Sequence, residues 1–278
     1  MTQREVAPAK VNLLLHVGPP REAGLHELCS LFASIDLADE LGFEAAPALA
    51  ADEVVCPGVD GRNLIAVALA EFRERVDSAL PPLRVVVEKR IPVAAGLAGG
   101  SADAAAALRA ANAIAGEPAT TDELRALAAR LGSDVPSQVE PRHALVMGAG
   151  EQVEPLELPG LALVLVPYAD GLSAAEVYAE ADRLGSTRER LDPEGARALA
   201  RLPAQELAAR LESDLEPAVL SLRPGVRDNL DALLEAGARA ALVSGSGPTA
   251  FGVFPNDEEA RRAAGLIDGA IQARLRTA

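Results

Sequence analysis

The stretch that decides the fold is IPVAAGLAGGSAD, residues 91–103, which runs directly into an alanine-rich segment that ends at Ala115. A short β-branched run over Leu83–Glu88 precedes it and predicts a strand, and the alanines predict a helix that Gly116 ends. Glycines let the main chain approach an anion, and the N–H groups of a helix's first turn point at it. The order strand, glycines, helix therefore predicts a phosphate-binding loop. The alternative is a glycine-rich turn needed only for tight packing.

Two familiar nucleotide-binding loops are excluded by the residues around this stretch. A Walker loop ends in Gly-Lys-Ser/Thr, whereas Gly100 and Ser101 are adjacent with no lysine between them. The protein kinase signatures His-Arg-Asp and Asp-Phe-Gly are absent from the sequence. Ser101 is instead placed to cap the helix, or to offer a hydroxyl to a phosphate or its Mg²⁺.

Composition limits the class of protein. Lys and Arg number 26 against 41 Asp and Glu, which gives the 278-residue chain a formal charge of −15. Such a charge argues against a nucleic-acid or anionic-membrane partner, so any anionic ligand must be held by a local arrangement. The two cysteines, Cys29 and Cys56, exclude a disulfide scaffold and fit a reducing compartment. With no apolar run of roughly 20 residues and no signal-peptide pattern, we expect a cytoplasmic protein.

Strands and helices are interspersed along the whole chain, which predicts an α+β fold. Strands are predicted over residues 11–17, 26–36, 40–44, 53–56, 161–166, 240–244 and 249–254, with short strands around 142–154 and a turn over 18–24. Helices are predicted from Asn63 to about Leu80, over 104–115, from Thr120 to Gly132, over several segments up to Ala236, and at the C-terminal end. Residues 155–160 form a plausible junction, so we predict two domains, 1–155 and 156–278.

Two residues outside the loop are candidates for catalysis. Lys10 is one of only two lysines among the 26 basic residues, the other being Lys89, and a lysine offers a compact charge that can lie close to an oxygen. Asp134 lies in GSDVP, residues 132–136, just after a predicted helix end. Taken singly, each has a structural interpretation, as an exposed lysine at a strand end and as a cap or turn aspartate. The three histidines show no metal-ligand spacing, and no metal site is predicted from protein side chains.

Four segments together resemble the GHMP small-molecule kinases in order and spacing. They are PAKVNL (8–13), the loop over 92–103, GSDVP (132–136) and GSGPT (245–249). The similarity covers essentially the whole chain. The resemblance implies a ribosomal protein S5 domain 2-like N-terminal domain and a ferredoxin-like C-terminal domain. The segments PAKVNL (8–13) and GLHEL (24–28) together are most similar to those of the family member that acts on a cytidine diphosphate-linked polyol.

The resemblance also implies an activity: ATP-dependent phosphorylation of a hydroxyl of a cytidine diphosphate-linked methylerythritol in non-mevalonate isoprenoid biosynthesis, with Mg²⁺, by a monomer or homodimer. Lys10 and Asp134 would be the catalytic pair, and His26 would read the cytosine edge. The ATP-binding residues so implied are Asn63, Pro92, Val93, Ala94, Ala95, Gly96, Leu97, Ala98, Gly99, Gly100, Ser101 and Ala102. The substrate-binding residues are Asn12, Leu25, His26, Gly245, Ser246 and Gly247, the last three bordering the phosphates.

The sequence departs from the family pattern at several positions. Leu25 stands where the family usually has a tyrosine that stacks on the pyrimidine. Ala98 replaces a usual glycine and Ala102 a usual serine, so Ser101 would supply the loop's main hydroxyl. Ser137 and Gln138 replace a more apolar pair.

Three alternatives remain open. The first is a GHMP kinase of the homoserine or mevalonate type, and the second is a non-catalytic nucleotide-binding protein. The third is a dinucleotide-dependent oxidoreductase, which rests only on a Gly-x-Gly-x-x-Ala match at 245–250. That match is followed by a strand-like segment, whereas the dinucleotide fingerprint requires a helix there.

Overall fold

The computed structural model describes residues 2–20, 25–59, 61 and 63–277, so residues 21–24 of the predicted turn lie outside the described residues. The chain divides into two compact units. Unit 1 comprises Met1–Ala9, Leu37–Val93 and Ala98–Pro141, and unit 2 comprises Lys10–Asp36, Ala94–Leu97 and Arg142–Ala278. Both units are discontinuous in sequence, because the long strands β1 (Thr2–Pro20) and β2 (His26–Ala45) contribute residues to each. The predicted domain boundary after residue 155 stays a prediction.

Unit 1 packs helices against one face of a small sheet. The end of β2 pairs antiparallel with β4 (Leu83–Glu88), and β4 pairs parallel with β3 (Glu53–Val55). Side chains of β4 alternate strictly between buried and exposed, as a strand covered on one face requires. The helices of this unit are α1 (Leu64–Arg75), α2 (Gly99–Ile114), α3 (Thr121–Ala128) and α4 (Val135–Val139).

The predicted alanine-rich helix is α2, and its residues 102–108 are all buried. Helix α1 is shorter than predicted, because it ends at Arg75 and not near Leu80. The side chain of Asp77 accepts a hydrogen bond from the backbone N–H of Ala79 at 2.9 Å. Such a local side-chain-to-backbone bond competes with helix continuation and explains the early end.

Unit 2 contains a second, four-stranded sheet in the order β11-β7-β10-β9. Every neighbouring pair in it is antiparallel. Its strands are β7 (Ala162–Val166), β9 (Ala240–Val243), β10 (Ala250–Phe254) and β11 (Ile271–Arg274). The first part of β2 pairs with β5 (Ala144–Gly148), β5 pairs with β6 (Gln152–Pro155), and β1 pairs with β8 (Glu212–Ser213). The helices are α5 (Ala174–Leu184), α6 (Pro193–Ala200), α7 (Ala204–Ala208), α8 (Glu216–Leu222), α9 (Val226–Glu235) and α10 (Asp257–Ala264).

Two further sequence predictions need correction. The strands predicted over 26–36 and 40–44 are one continuous strand, β2. The predicted C-terminal helix exists as α10, but the chain continues into β11, which the sequence did not predict. Strand β11 has only four residues, too few for the alternation of its side chains to stand out in the sequence. Among the described residues, no helix is both long and apolar enough to cross a bilayer.

Candidate active site

Lys10 lies at the centre of a polar cluster in unit 2. Because side chains alternate along a strand, Lys10 and Asn12 share one face of β1, and the Lys10 ammonium donates to Asn12 Oδ1 at 2.8 Å. It also donates to the carbonyl oxygen of Gly96 at 3.2 Å and lies 4.8 Å from the ring centroid of Phe32. The Asn12 amide is fixed in turn by Ser30 Oγ at 2.9 Å. Lys10 is only 3% exposed, so it is not the exposed strand-end lysine of the structural alternative.

The glycines of two distant segments interlock beside this lysine. Gly96 has a φ of +78°, and a Cβ on it would lie 2.6 Å from Gly247 Cα, so that only glycine fits. Ser244 Oγ donates to the Gly96 carbonyl at 3.1 Å. A Cβ on Gly245 would lie 3.1 Å from both Lys10 Nζ and Asn12 Oδ1. The structure thus brings together Lys10, Asn12, Gly96, Gly245 and Gly247, which the sequence predicted as site residues, and adds Ser244, which it did not.

Helix α2 begins at Gly99, and its N-cap residue is Ala98. Ser101 therefore lies inside the first turn, and its predicted role as the cap is wrong. The backbone explains the difference, because Ala98 has a φ of +58° and turns the chain into the helix without a side-chain cap. Ala94 has a similarly left-handed φ of +53°. For a residue with a Cβ this conformation costs roughly 1–2 kcal/mol.

The strain at Ala98 gives a stability prediction. The variant Ala98→Gly should raise the free energy of unfolding by about 0.5–1 kcal/mol, since relief of strain exceeds the extra entropy that glycine gives the unfolded chain. Thermal or denaturant unfolding measures it. The matched control is Ala105→Gly in the middle of α2, which should lower the free energy of unfolding by at least about 1 kcal/mol, because both helix propensity and a buried methyl group are lost. Equal losses for both variants would contradict the prediction.

A buried ion cluster in unit 1 joins β2 and the residues just after β4 to α2. The Lys89 ammonium donates to Asp39 Oδ2 at 2.5 Å and to Asp103 Oδ2 at 2.8 Å. Asp39 Oδ1 accepts the backbone N–H groups of Arg90 and Ile91, at 2.6 and 2.9 Å. Burial raises the pKa of Asp103 to about 6, although the nearby Lys89 ammonium opposes the rise. Burial lowers the pKa of Lys89, but the two carboxylates outweigh it and the net shift is upward.

Asn63 and Asp134 occupy helix starts in unit 1. Asn63 caps α1 as predicted, because its Oδ1 accepts the backbone N–H of Ile65 at 2.9 Å. Asp134 stands at the N-cap position of α4, but its side chain makes no capping hydrogen bond there. The Asp134 carbonyl accepts Ser137 Oγ at 2.8 Å. The aspartate is therefore not a side-chain cap, which leaves the predicted catalytic role for its carboxylate as a prediction. Its pairing with Lys10, which belongs to unit 2, also stays a prediction.

His26 begins β2 in unit 2 and contacts two residues of α5. Its Nε2 lies 2.9 Å from Asp182 Oδ1, and its ring stacks on Tyr178 with centroids 5.1 Å apart and an interplanar angle of 25°. Leu25 beside it is 54% exposed. Gly24 lies outside the described residues. Sequence reasoning missed Tyr178 and Asp182, although an aromatic and an acid at i, i+4 on one helix face was a usable signal in a chain with two tyrosines.

Comparisons with known proteins agree with this fold. Residues 63–140 match the family described as GHMP kinases N terminal domain, and residues 194–265 match GHMP kinases C terminal. A 4-diphosphocytidyl-2-C-methyl-D-erythritol kinase of Streptomyces coelicolor is 41% identical over 272 residues, which cover 94% of this chain and 90% of that protein. The enzyme of the same name from Mycolicibacterium gilvum is 43% identical over 255 residues, or 87% and 79% of the two chains.

Solved structures extend the comparison to the fold. A crystal structure of 4-(cytidine 5'-diphospho)-2C-methyl-D-erythritol kinase matches with a TM-score of 0.84 and 33% identity, covering 99% of this chain and 100% of that one. Homoserine kinase from Cytophaga hutchinsonii matches with a TM-score of 0.70 at 19% identity, over 99% and 95% of the two chains. The second likeness concerns the fold alone.

The fold and the glycine loop define a small-molecule kinase of the GHMP class, and the predicted α+β GHMP fold is confirmed. Within that class, the chain belongs to the 4-diphosphocytidyl-2-C-methyl-D-erythritol kinase family.

Proposed function

We propose that this protein transfers the γ-phosphoryl group of ATP to a hydroxyl of 4-diphosphocytidyl-2-C-methyl-D-erythritol, in the non-mevalonate route to isoprenoids. The observation that carries the proposal is the buried Lys10 ammonium, which is bound to the Gly96 carbonyl of the glycine loop. Its contacts with Asn12, Gly96 and Phe32 hold this cation beside the glycine loop, which supports a role in offsetting phosphate charge. Relatives that share about 40% of the sequence carry this enzyme's name.

The ATP phosphates would lie on residues 92–102. The first-turn N–H groups of α2 can donate to phosphate oxygens, and the helix dipole adds roughly 0.3–1 kcal/mol for each favourable charge. Such a site needs few basic side chains, which suits a chain of net charge −15. Asn63, at the start of α1, would lie on the adenosine side.

Lys10 and Asp134 would carry the chemical step. Phosphoryl transfer depends on positioning and charge stabilisation more than on covalent help. Asp134 would orient the acceptor hydroxyl and take its proton late, once the bond to the leaving phosphate has loosened. Lys10 would orient Asp134 and offset negative charge on the transferring group.

The acceptor would be recognised by residues of unit 2. Asn12 is fixed by Lys10 and Ser30, so its amide is already oriented for a polar substrate group. His26 would read the cytosine edge, and the exposed Leu25 would cover a face of the base. Gly245, Ser246 and Gly247 would border the phosphates. Tyr178, on which the His26 ring stacks, would supply an aromatic ring beside the base, where Leu25 replaces the usual tyrosine.

A magnesium ion would accompany ATP. The described residues contain no group of three or more His, Cys, Asp or Glu side chains that could hold a metal ion. Protein sites for Mg²⁺ commonly use one or two side chains together with substrate phosphates and water, so the ion would arrive with the nucleotide. The Ser101 hydroxyl would be a protein donor to the ion. When bound, the ion neutralises charge on the phosphates.

A coupled ATP-consumption assay tests the proposal. The purified protein is offered 4-diphosphocytidyl-2-C-methyl-D-erythritol, homoserine and mevalonate side by side. We expect turnover with the cytidylyl substrate and none above background with the other two. Preferred turnover of homoserine or mevalonate would make the protein a different GHMP kinase, and no turnover with any acceptor would favour a non-catalytic nucleotide-binding protein.

The variant His26→Ala should raise KM for the cytidylyl substrate by at least about tenfold, because a hydrogen-bonding site loses more than an apolar pocket when its polar partner is removed. KM for ATP should stay within about twofold, since His26 contacts α5 and not the glycine loop. Steady-state kinetics with each substrate varied in turn measure both constants. Equal losses toward both substrates would indicate a folding defect and contradict the assignment.

A further inference from the structure

Helix α5 presents two side chains to His26 from a single face. Tyr178 and Asp182 are four residues apart, so they are neighbours on the helix surface. Tyr178 stacks against the imidazole ring, and Asp182 Oδ1 lies 2.9 Å from Nε2. The His26 side chain is 4% exposed and that of Asp182 is 44% exposed. Stacking on Tyr178 thus fixes the orientation of the His26 ring plane, and the contact with Asp182 fixes which way Nε2 points within that plane.

The contact with Asp182 also selects a tautomer. A carboxylate can only accept a hydrogen bond, so Nε2 of His26 must carry the proton. In the neutral imidazole the other nitrogen, Nδ1, is then an acceptor. The residues that the structure describes form no hydrogen bond to Nδ1, which leaves this lone pair for a ligand.

We propose that Asp182 is a positioning residue that makes the enzyme choose cytosine over uracil, by holding His26 as the Nε2–H tautomer with Nδ1 as an acceptor. The proposal rests on the proposed function, since it assumes that His26 faces the base. Cytosine carries an exocyclic amino donor where uracil carries a carbonyl acceptor. An Nδ1 acceptor pairs with the amino group and is repelled by the carbonyl. The aspartate thereby sets base specificity without touching the base.

The test replaces the carboxylate by an amide. In Asp182→Asn the side chain can accept from Nε2–H or donate to an unprotonated Nε2, so it no longer selects one tautomer. The control is Glu180→Gln, which makes the same charge change on the same helix. The Glu180 side chain accepts hydrogen bonds from Arg183 and Ser221 and does not pair with His26. Melting temperatures of both variants establish that they are folded.

Two measurements are made at about pH 8.5, where an ordinary imidazole is neutral. Long-range ¹H–¹⁵N spectra report the tautomer of His26 in the protein without substrate. The chain has only three histidines, and a His26→Ala sample assigns the signal. Calorimetric titration with CDP and with UDP then gives the ratio of their dissociation constants. In the parent and in Glu180→Gln we expect the Nε2–H tautomer and a preference for CDP.

In Asp182→Asn we expect a mixed or Nδ1–H tautomer and a CDP-to-UDP preference at least about tenfold smaller than in the parent. A variant that keeps the parent's tautomer would overturn the proposal, as would a changed tautomer with an unchanged preference. In both cases the assignment of a cytidylyl substrate would still hold, provided that the parent binds CDP. If the parent binds neither nucleotide, the assignment of a cytidylyl substrate would be contradicted, and the proposed role of Asp182 with it.

Discussion

The variant Asp134→Asn should lower kcat for the cytidylyl substrate by at least about a hundredfold, since general-base assistance commonly contributes a factor of 10²–10⁴. An amide has nearly the same size as the carboxylate but cannot take the hydroxyl proton. The Asp134 side chain makes no capping hydrogen bond to α4, so the replacement should leave the helix start intact. Steady-state kinetics with saturating ATP measure the loss.

The matched control is Asp122→Asn, which removes a carboxylate from an exposed position of α3 in the same unit. Its kcat should stay within about twofold of the parent. A kcat for Asp134→Asn within about threefold of the parent would end the catalytic assignment. A double variant with Lys10→Met tests the proposed pairing, because residues that act together show strongly non-additive losses. The double variant should therefore lose little more activity than either single variant.

The variant Lys89→Met should lower the free energy of unfolding by about 3–5 kcal/mol, the usual consequence of removing one partner from a buried ion pair. It leaves Asp39 and Asp103, both almost wholly buried, without their shared cation. The control is Arg84→Met on β4, the strand that ends one residue before Lys89. Arg84 is 54% exposed and lies 3.6 Å from Glu53, so its loss should cost less than about 1 kcal/mol. Denaturant unfolding of both variants makes the comparison.

The loss in Lys89→Met should also depend on pH. Burial raises the pKa of folded Asp103 to about 6 from its ordinary value of 3.8, and the Lys89 charge restrains that rise. Without Lys89 the pKa of the folded Asp103 carboxyl is still higher than in the parent. As pH falls through that higher pKa, Asp103 in the variant takes up a proton, and the free-energy cost of its buried charge disappears. The deficit relative to the parent should therefore be smaller at about pH 5 than at about pH 8. A deficit that is constant or grows toward pH 5 would contradict this account.

The sequence predicted the parts of the fold that local patterns determine. The alanine run after Ser101 has high helix propensity, and the alternating residues after Lys10 form a strand in the structure as expected. Local patterns did not predict the end of α1. It depends on one specific hydrogen bond, in which the Asp77 side chain accepts from the backbone N–H of Ala79. They also failed at β11, whose pairing partner β7 lies more than a hundred residues away.

In the candidate site, the residues that belong to motifs could be predicted from the sequence, whereas contacts between distant residues could not. Motif order identified Lys10, the loop and the Gly-Ser-Gly turn, and the structure brings Gly96, Gly245 and Lys10 together. The sequence could not show that Asp182 holds His26, because 156 residues separate the two. It singled out Lys89 by rarity but assigned it no partner, since Asp39 lies fifty residues before it. Alanine itself gives no signal for the left-handed backbone of Ala98, although the glycine usual at that position in the family favours it.

Both lysines of the chain are withdrawn from solvent, Lys10 at 3% exposure and Lys89 at 10% for its side chain. Reagents that acylate ε-amino groups therefore have little access to either lysine in the folded protein, and arginines supply the exposed basic side chains. Acylation of either ε-amine would follow transient opening of the structure, and its rate would report how often each unit opens. Mass spectrometry could read the two sites separately, with Lys10 reporting on one unit and Lys89 on the other.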